Sequence, residues 1–123
     1  MNERLPMDFD VHLMHHDRCT LVRVRGEIDV VTRPRFEQAM FEVIDTGGPM
    51  IVDMRQVTFC DSTGLNAVVA ANRRAIERGV PIALVALPPR VRRVFRITGV
   101  DEFVPTYDTL REALGALSST TPS

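Results

Sequence analysis

From Phe9 to Met14 the chain alternates, with Phe9, Val11 and Leu13 on one side and Asp10, His12 and Met14 on the other. That two-residue period predicts a half-buried strand. A second strand-like run, Thr20 to Arg25, follows the polar His15-His16-Asp17-Arg18, so the pattern predicts an opening hairpin with those histidines in its turn. Gly26 to Val31 reads as a connecting loop. Thr32 can then cap a helix whose first turn tolerates Pro34, because the earliest helical N–H groups have no partner within the helix. Phe36, Ala39, Met40 and Val43 share one face of that helix. Gly47-Gly48-Pro49 ends it, since proline cannot continue the hydrogen-bond ladder.

Met50 to Met54 is an apolar run around Asp53, continued by Val57-Thr58-Phe59-Cys60 and then by the polar Asp61-Ser62-Thr63-Gly64. A strand leading into a helix start is the reading. Leu65, Val68, Val69 and Ile76 recur at helical spacing, and Gly79-Val80-Pro81 supplies a stop. Ile82 to Leu87 is almost wholly apolar, as expected of a strand covered on both faces. Pro88-Pro89 opens a short helix with Val91, Val94 and Phe95 inward, closed by Gly99. A last strand is expected around Phe103-Val104. A last helix follows, with Asp108 as its cap and Leu110, Ala113, Leu114 and Leu117 as its buried stripe. This order predicts an α/β fold, a mixed sheet of four to five strands with about four helices packed on it. No repeat or linker divides the chain, so residues 1–123 are read as one domain, with a core over about residues 8–117 and short flexible termini.

Composition narrows the function classes. The balance of 45% apolar and 25% charged residues is that of a globular domain. A net charge of -1 provides no field to gather phosphate backbones, which argues against nucleic-acid binding and for a protein partner. Met1 to Pro6 contains no apolar stretch of signal-peptide length, and Ile82 to Leu87 is far too short to cross a bilayer. The expectation is a cytoplasmic protein without membrane insertion. Cys19 and Cys60 lack any metal-ligand or disulfide spacing and read as reduced thiols.

The segment most able to carry chemistry is Val57 to Leu65. There a strand delivers two hydroxyls, Ser62 and Thr63, to a helix start directly after Asp61. Unpaired N–H groups and the positive end of the helix dipole stabilise an anion at such a place by about 0.3 to 1 kcal/mol. The plain structural alternative is that Asp61 or Ser62 is an ordinary N-cap, worth about 1 kcal/mol. Gly64 does not fit that alternative, because glycine costs about 1 kcal/mol relative to alanine inside a helix. It suggests a close approach.

The stretch Val57-Thr58-Phe59-Cys60-Asp61-Ser62-Thr63-Gly64-Leu65 resembles the signature of STAS domains of the anti-sigma factor antagonist (anti-anti-sigma factor) family, in which Asp-Ser-[Ser/Thr]-Gly-Leu carries the phosphoacceptor. Gly26-Glu27-Ile28-Asp29 is similar to the Gly-Glu-[Leu/Ile]-Asp that the family places before its first helix. Pro88 to Phe95 and Thr98-Gly99-Val100 resemble the family's short helix and the turn after it. The resemblance implies the STAS fold. It further implies that the unphosphorylated form binds an anti-sigma factor that is also a serine-protein kinase of the histidine-kinase-like ATPase type, thereby releasing sigma factor, and that a serine phosphatase resets the cycle. By the same resemblance Ser62 is the phosphoacceptor, with Thr63 the second choice, and Glu27, Asp29, Asp61, Ser62, Thr63 and Gly64 form the partner-binding surface. No cofactor, metal or catalytic residue is implied. The alternative within the family is a non-phosphorylated scaffold subunit of an ABC-type transporter or stress-signalling complex.

Other chemistries find less support. A Ser62 nucleophile would need a histidine base, but the Gly-x-Ser-x-Gly elbow is missing and His12, His15 and His16 all fall in one short segment. No carboxylate or thiol spacing turns those histidines into a metal site. Glu27 and Asp29 could suggest an acid–base pair, yet no cleft residue accompanies them. Arg90, Arg92, Arg93 and Arg96 place four cations on one short helix, a solvent-facing run that could also steer an acidic partner.

Overall fold

A computed structural model describes residues 9–119. The alternation at the start becomes the expected hairpin, β1 (Asp10–His16) running antiparallel to β2 (Cys19–Ile28). The turn itself needs only Asp17-Arg18: Asp17 takes a φ of 57°, a left-handed conformation that a short polar side chain tolerates. His15 and His16 therefore lie in β1, opposite Thr20 and Cys19, and not in the turn.

The rest follows in the order α1 (Arg33–Asp45), β3 (Met50–Cys60), α2 (Ser62–Arg78), β4 (Ile82–Val85), α3 (Pro89–Ile97), a 3-10 turn (Val100–Glu102), β5 (Thr106–Tyr107) and α4 (Leu110–Ser119). The strands lie in the order β1-β2-β3-β4-β5, with β2 to β5 parallel. The result is a five-stranded mixed sheet with four helices, as the sequence predicts. Each crossover moves the chain one strand further in the same direction, so right-handed connections bring α1, α2 and α3 onto one face. There Phe36, Met40, Val68 and Phe95 close over Val22, Val24, Val52 and Leu84. On the opposite face α4 lays Leu110, Ala113, Leu114 and Leu117 against Leu21, Ile51, Ala83 and Val85.

Several local expectations are corrected. Strand β2 absorbs Gly26-Glu27-Ile28, which read as loop, because Gly26, Glu27 and Ile28 are held opposite Val57, Phe59 and Cys60 of β3. Strand β3 carries two register shifts against β2. Each changes which side chains point inward, so Val57 and Cys60 are buried while Phe59 is 49% exposed. Ile76 fits the helical period yet is 71% exposed on α2. The last strand lies at Thr106–Tyr107, past the place expected. Val104 is taken into the core, and it is the Pro105 carbonyl that first accepts from β4, at the Leu84 N–H. Thr109, not Asp108, caps α4: its hydroxyl accepts the Glu112 N–H (3.1 Å), while the Glu112 carboxylate reaches back to the N–H groups of Asp108 and Thr109. This is a reciprocal capping box. Asp108 pairs instead with Arg92 (2.7 Å). The tail expected to fray, Ser118 to Ser123, continues α4 to Ser119; residues 120–123, like the leader-free start read over Met1 to Pro6, lie outside the described residues.

Candidate functional site

Strand β3 ends at Cys60 and α2 begins at Ser62, so a single residue, Asp61, makes the transition. Asp61 is extended, as an N-cap must be, and its Oδ1 accepts the N–H groups of Thr63 (2.8 Å) and Gly64 (3.3 Å). Its carbonyl accepts the Leu65 N–H (3.1 Å), and its own N–H donates to the Ile28 carbonyl (3.4 Å). Asp61 thus ties the start of α2 to the end of β2. One carboxylate oxygen already fills the place an anion would take at this helix end.

Ser62 is the first residue of α2 and is exposed, Thr63 is half-buried, and Gly64 is buried. A Cβ on Gly64 would come within 2.6 Å of Cys60 Sγ and 2.7 Å of Ile28 Cγ2. The close approach inferred from sequence is therefore internal: Gly64 lets α2 start directly against the ends of β2 and β3. Gly64 is thus a buried spacer beneath Ser62.

The loop between β2 and α1 is built by Asp29. Its Oδ1 accepts the N–H groups of Val31 (3.0 Å) and Thr32 (3.1 Å). Thr32 stands at the N-terminal boundary of α1 but does not cap it; its hydroxyl donates to the Glu27 carbonyl (2.7 Å) and accepts the Asp29 N–H (3.0 Å). Asp29 therefore shapes the loop from within, and the outward positions of that loop are Val30 and Val31, 73% and 71% exposed. Glu27 is exposed and stands opposite Phe59.

Glu27, Asp61 and Ser62 thus share one rim with Val30, Val31 and Phe59. The three apolar residues escaped the sequence reading. The available signal was a pair of adjacent valines in a segment read as loop, where nothing inside the domain needs them. An exposed apolar group edged by charge is the ordinary make-up of a protein-docking surface.

Burial, reinforced by the Asp61 charge, pushes the Cys60 thiol up to about 12, which keeps it protonated and unreactive at neutral pH. Among the described residues no group of three or more His, Cys, Asp or Glu side chains could hold a metal ion, and no helix is long and apolar enough to cross a membrane.

A five-stranded mixed sheet with three helices on one face, one on the other and a capped serine at the start of α2 defines a class, and comparison with known proteins agrees. The STAS domain family matches residues 10–113, and the chain belongs to that family. The chain is 30% identical over 110 residues, 89% of each chain, to the anti-sigma-F factor antagonist RsfB of Mycobacterium tuberculosis. It is 35% identical over 101 residues, 80% of this chain and 88% of the other, to the anti-sigma-B factor antagonist of Listeria monocytogenes. The crystal structure of an anti-sigma factor antagonist from Mycobacterium paratuberculosis superposes with a TM-score of 0.83 at 34% identity, covering 91% of this chain and 96% of that one.

Proposed function

We propose that this protein is a cytoplasmic anti-sigma factor antagonist, a binding module and not an enzyme. Its unphosphorylated form docks an anti-sigma factor on the rim around Ser62 and so releases sigma factor, and phosphorylation of Ser62 ends that contact. The anti-sigma factor, a histidine-kinase-like ATPase, is itself the serine kinase, and a serine phosphatase restores the bare hydroxyl. One observation carries this reading. The Ser62 side chain is exposed at the start of α2, among exposed Val30, Val31 and Phe59, so an enzyme can reach it and a partner covering those apolar groups must cover it too. Half-buried Thr63 is the poorer substrate.

The switch follows from electrostatics. A phosphoryl group adds about -1.5 to -2 charges, and Asp61 already occupies the amides of Thr63 and Gly64. The new charge therefore faces outward beside Glu27 and Asp61, and a partner would have to desolvate it. A penalty of about 3 kcal/mol weakens binding about a hundredfold.

Pull-down with the full chain, mass spectrometry of the recovered protein and titration of wild type, Ser62→Ala and Ser62→Asp against it test the proposal. Recovery of a histidine-kinase-like ATPase that adds one phosphate to Ser62 is expected, with Ser62→Ala binding like wild type and Ser62→Asp about a hundredfold more weakly at an unchanged melting temperature. Equal affinity of the three proteins would sink the switch, and recovery of a transporter subunit in place of the ATPase would sink the partner.

A further inference from the structure

Strands β3 and β4 are parallel neighbours, Met50 opposite Ile82 and Asp53 opposite Val85. Strand β4 ends at Val85, level with Asp53, while β3 runs on to Cys60, so α2 starts further out along the strand direction than α3; both helices then run back over the same face of the sheet, where Leu65, Val68, Val91 and Phe95 share one core. Val91 and Phe95 fix α3 to the core. Its outward residues are Arg90, Arg93, Arg96 and Ile97, all exposed.

Most arginines of the β2-to-α2 region have a local carboxylate, such as Asp53 for Arg23, Glu37 for Arg33 and Asp45 for both Arg74 and Arg78. On α3 only Arg92 has one, Asp108. Arg90, Arg93 and Arg96 form no ion pair with any described residue, and α3 contains no acidic residue of its own. Asp101 and Glu102 in the 3-10 turn beyond its end do not pair with them either. Like charges three residues apart weaken a helix, and Arg90 sits at the end where the helix dipole disfavours a cation. The helix is held in place by packing, and its cationic face is left without an ion-pair mate among the described residues.

We propose that the partner docking at Ser62 extends onto the outer face of α3 and presents there an acidic helical segment, with carboxylates three or four residues apart, to Arg90, Arg93 and Arg96. This rests on the docking reading of the Ser62 rim and names the chemistry of the partner's other contact. From Arg90 to Ile97 is about 10 Å along the helix, the span of carboxylates spread over two turns of a facing helix. Three cations on a chain of net charge -1 are too few to track a nucleic-acid backbone. A lone exposed Ile97 is too little to insert into a lipid surface. The proposed contact face then carries opposite sign at its two ends, Glu27 and Asp61 at one and α3 at the other, which fixes the orientation of the partner as well as its approach.

The test is association kinetics of the full chain with the purified anti-sigma factor over 50 to 500 mM salt, across which the screening length falls from about 14 Å to about 4 Å. Arg93→Glu/Arg96→Glu is expected to slow association about tenfold at low salt, with Arg93→Gln/Arg96→Gln in between, the differences shrinking at high salt and dissociation changing little. Arg111→Glu on α4, across the sheet, is the control and should match wild type. Circular dichroism and melting temperature report whether each variant folds. Wild-type association rates in both α3 variants would overturn the inference while leaving the docking reading intact. Failure of wild type itself to associate would overturn both. Tighter binding of anionic vesicles or single-stranded DNA than of the anti-sigma factor, lost in Arg93→Glu/Arg96→Glu, would show the wrong class of partner was named.

Discussion

The carboxylate of Asp61 lies 2.8 Å from the N–H of Thr63, one residue past the exposed Ser62. The same oxygen accepts the Gly64 N–H, so two amides that could have cradled a phosphoryl group are already engaged by a fixed negative charge. Asp61 thereby sets the direction of any charge added to Ser62. Asp61→Asn keeps an N-cap with little loss, whereas Asp61→Ala removes it and is expected to lower stability by about 1 kcal/mol, read from denaturant unfolding. On phosphorylation the Asn variant, without the neighbouring anion, should lose less of its affinity for the partner than wild type loses. An equal loss in Asp61→Asn and wild type would show that Asp61 is a cap and nothing more.

Gly64 supports the same geometry from beneath. With Cys60 Sγ at 2.6 Å and Ile28 Cγ2 at 2.7 Å from an ideal Cβ, Gly64→Ala cannot profit from the higher helix propensity of alanine. The start of α2 must lift off the sheet instead, at a loss of about 1 to 3 kcal/mol typical of an overpacked core. Because the Asp61 N–H is tied to the Ile28 carbonyl, that shift also moves Ser62, so slower phosphorylation should accompany the lower stability. Combining it with Cys60→Ala frees one of the two crowded sides and should restore part of the stability. A Gly64→Ala protein as stable as wild type would contradict the packing described.

How much of this was legible beforehand depended on whether the signal was local. The helix stop at Gly79, which adopts a φ of 67°, and the strand-to-helix step at Asp61 are written in short-range chemistry and could be read. The extension of β2 through Ile28 could not, because Gly26 and Glu27 are strand residues only by virtue of their β3 partners Val57 and Phe59. The two register shifts in β3 are equally non-local, and they turn Phe59 outward against its propensity. The α4 cap is local chemistry as well: the Thr109-x-x-Glu112 spacing is that of a capping box, and it places the cap at Thr109 one residue past Asp108. At the site, sequence named the polar members and missed Val30 and Val31, since apolar residues are sought first in the core.

Cys60 gives a pH test of how tightly the strand end beneath Ser62 is sealed. Burial first, and the Asp61 charge second, raise its thiol from 9.0 to about 12. A pKa higher in the folded than in the unfolded chain means that folding favours the protonated thiol, so this contribution is whole below pH 9 and declines as the pH rises toward 12. Unfolding followed from pH 7 to 11 should therefore show stability flat to about pH 8.5 and falling beyond it, and Cys60→Ala should lose part of that alkaline slope. Cys19, raised by burial and then by Asp17, adds a slope of the same sign that the variant retains. A thiol reagent at pH 8 should label native protein slowly and unfolded protein at the rate of a free cysteine, with Gly64→Ala in between as the lifted helix exposes Sγ. Rapid labelling of Cys60 in native wild type would show that the α2 start stands open and that Ser62 is not held at a fixed rim.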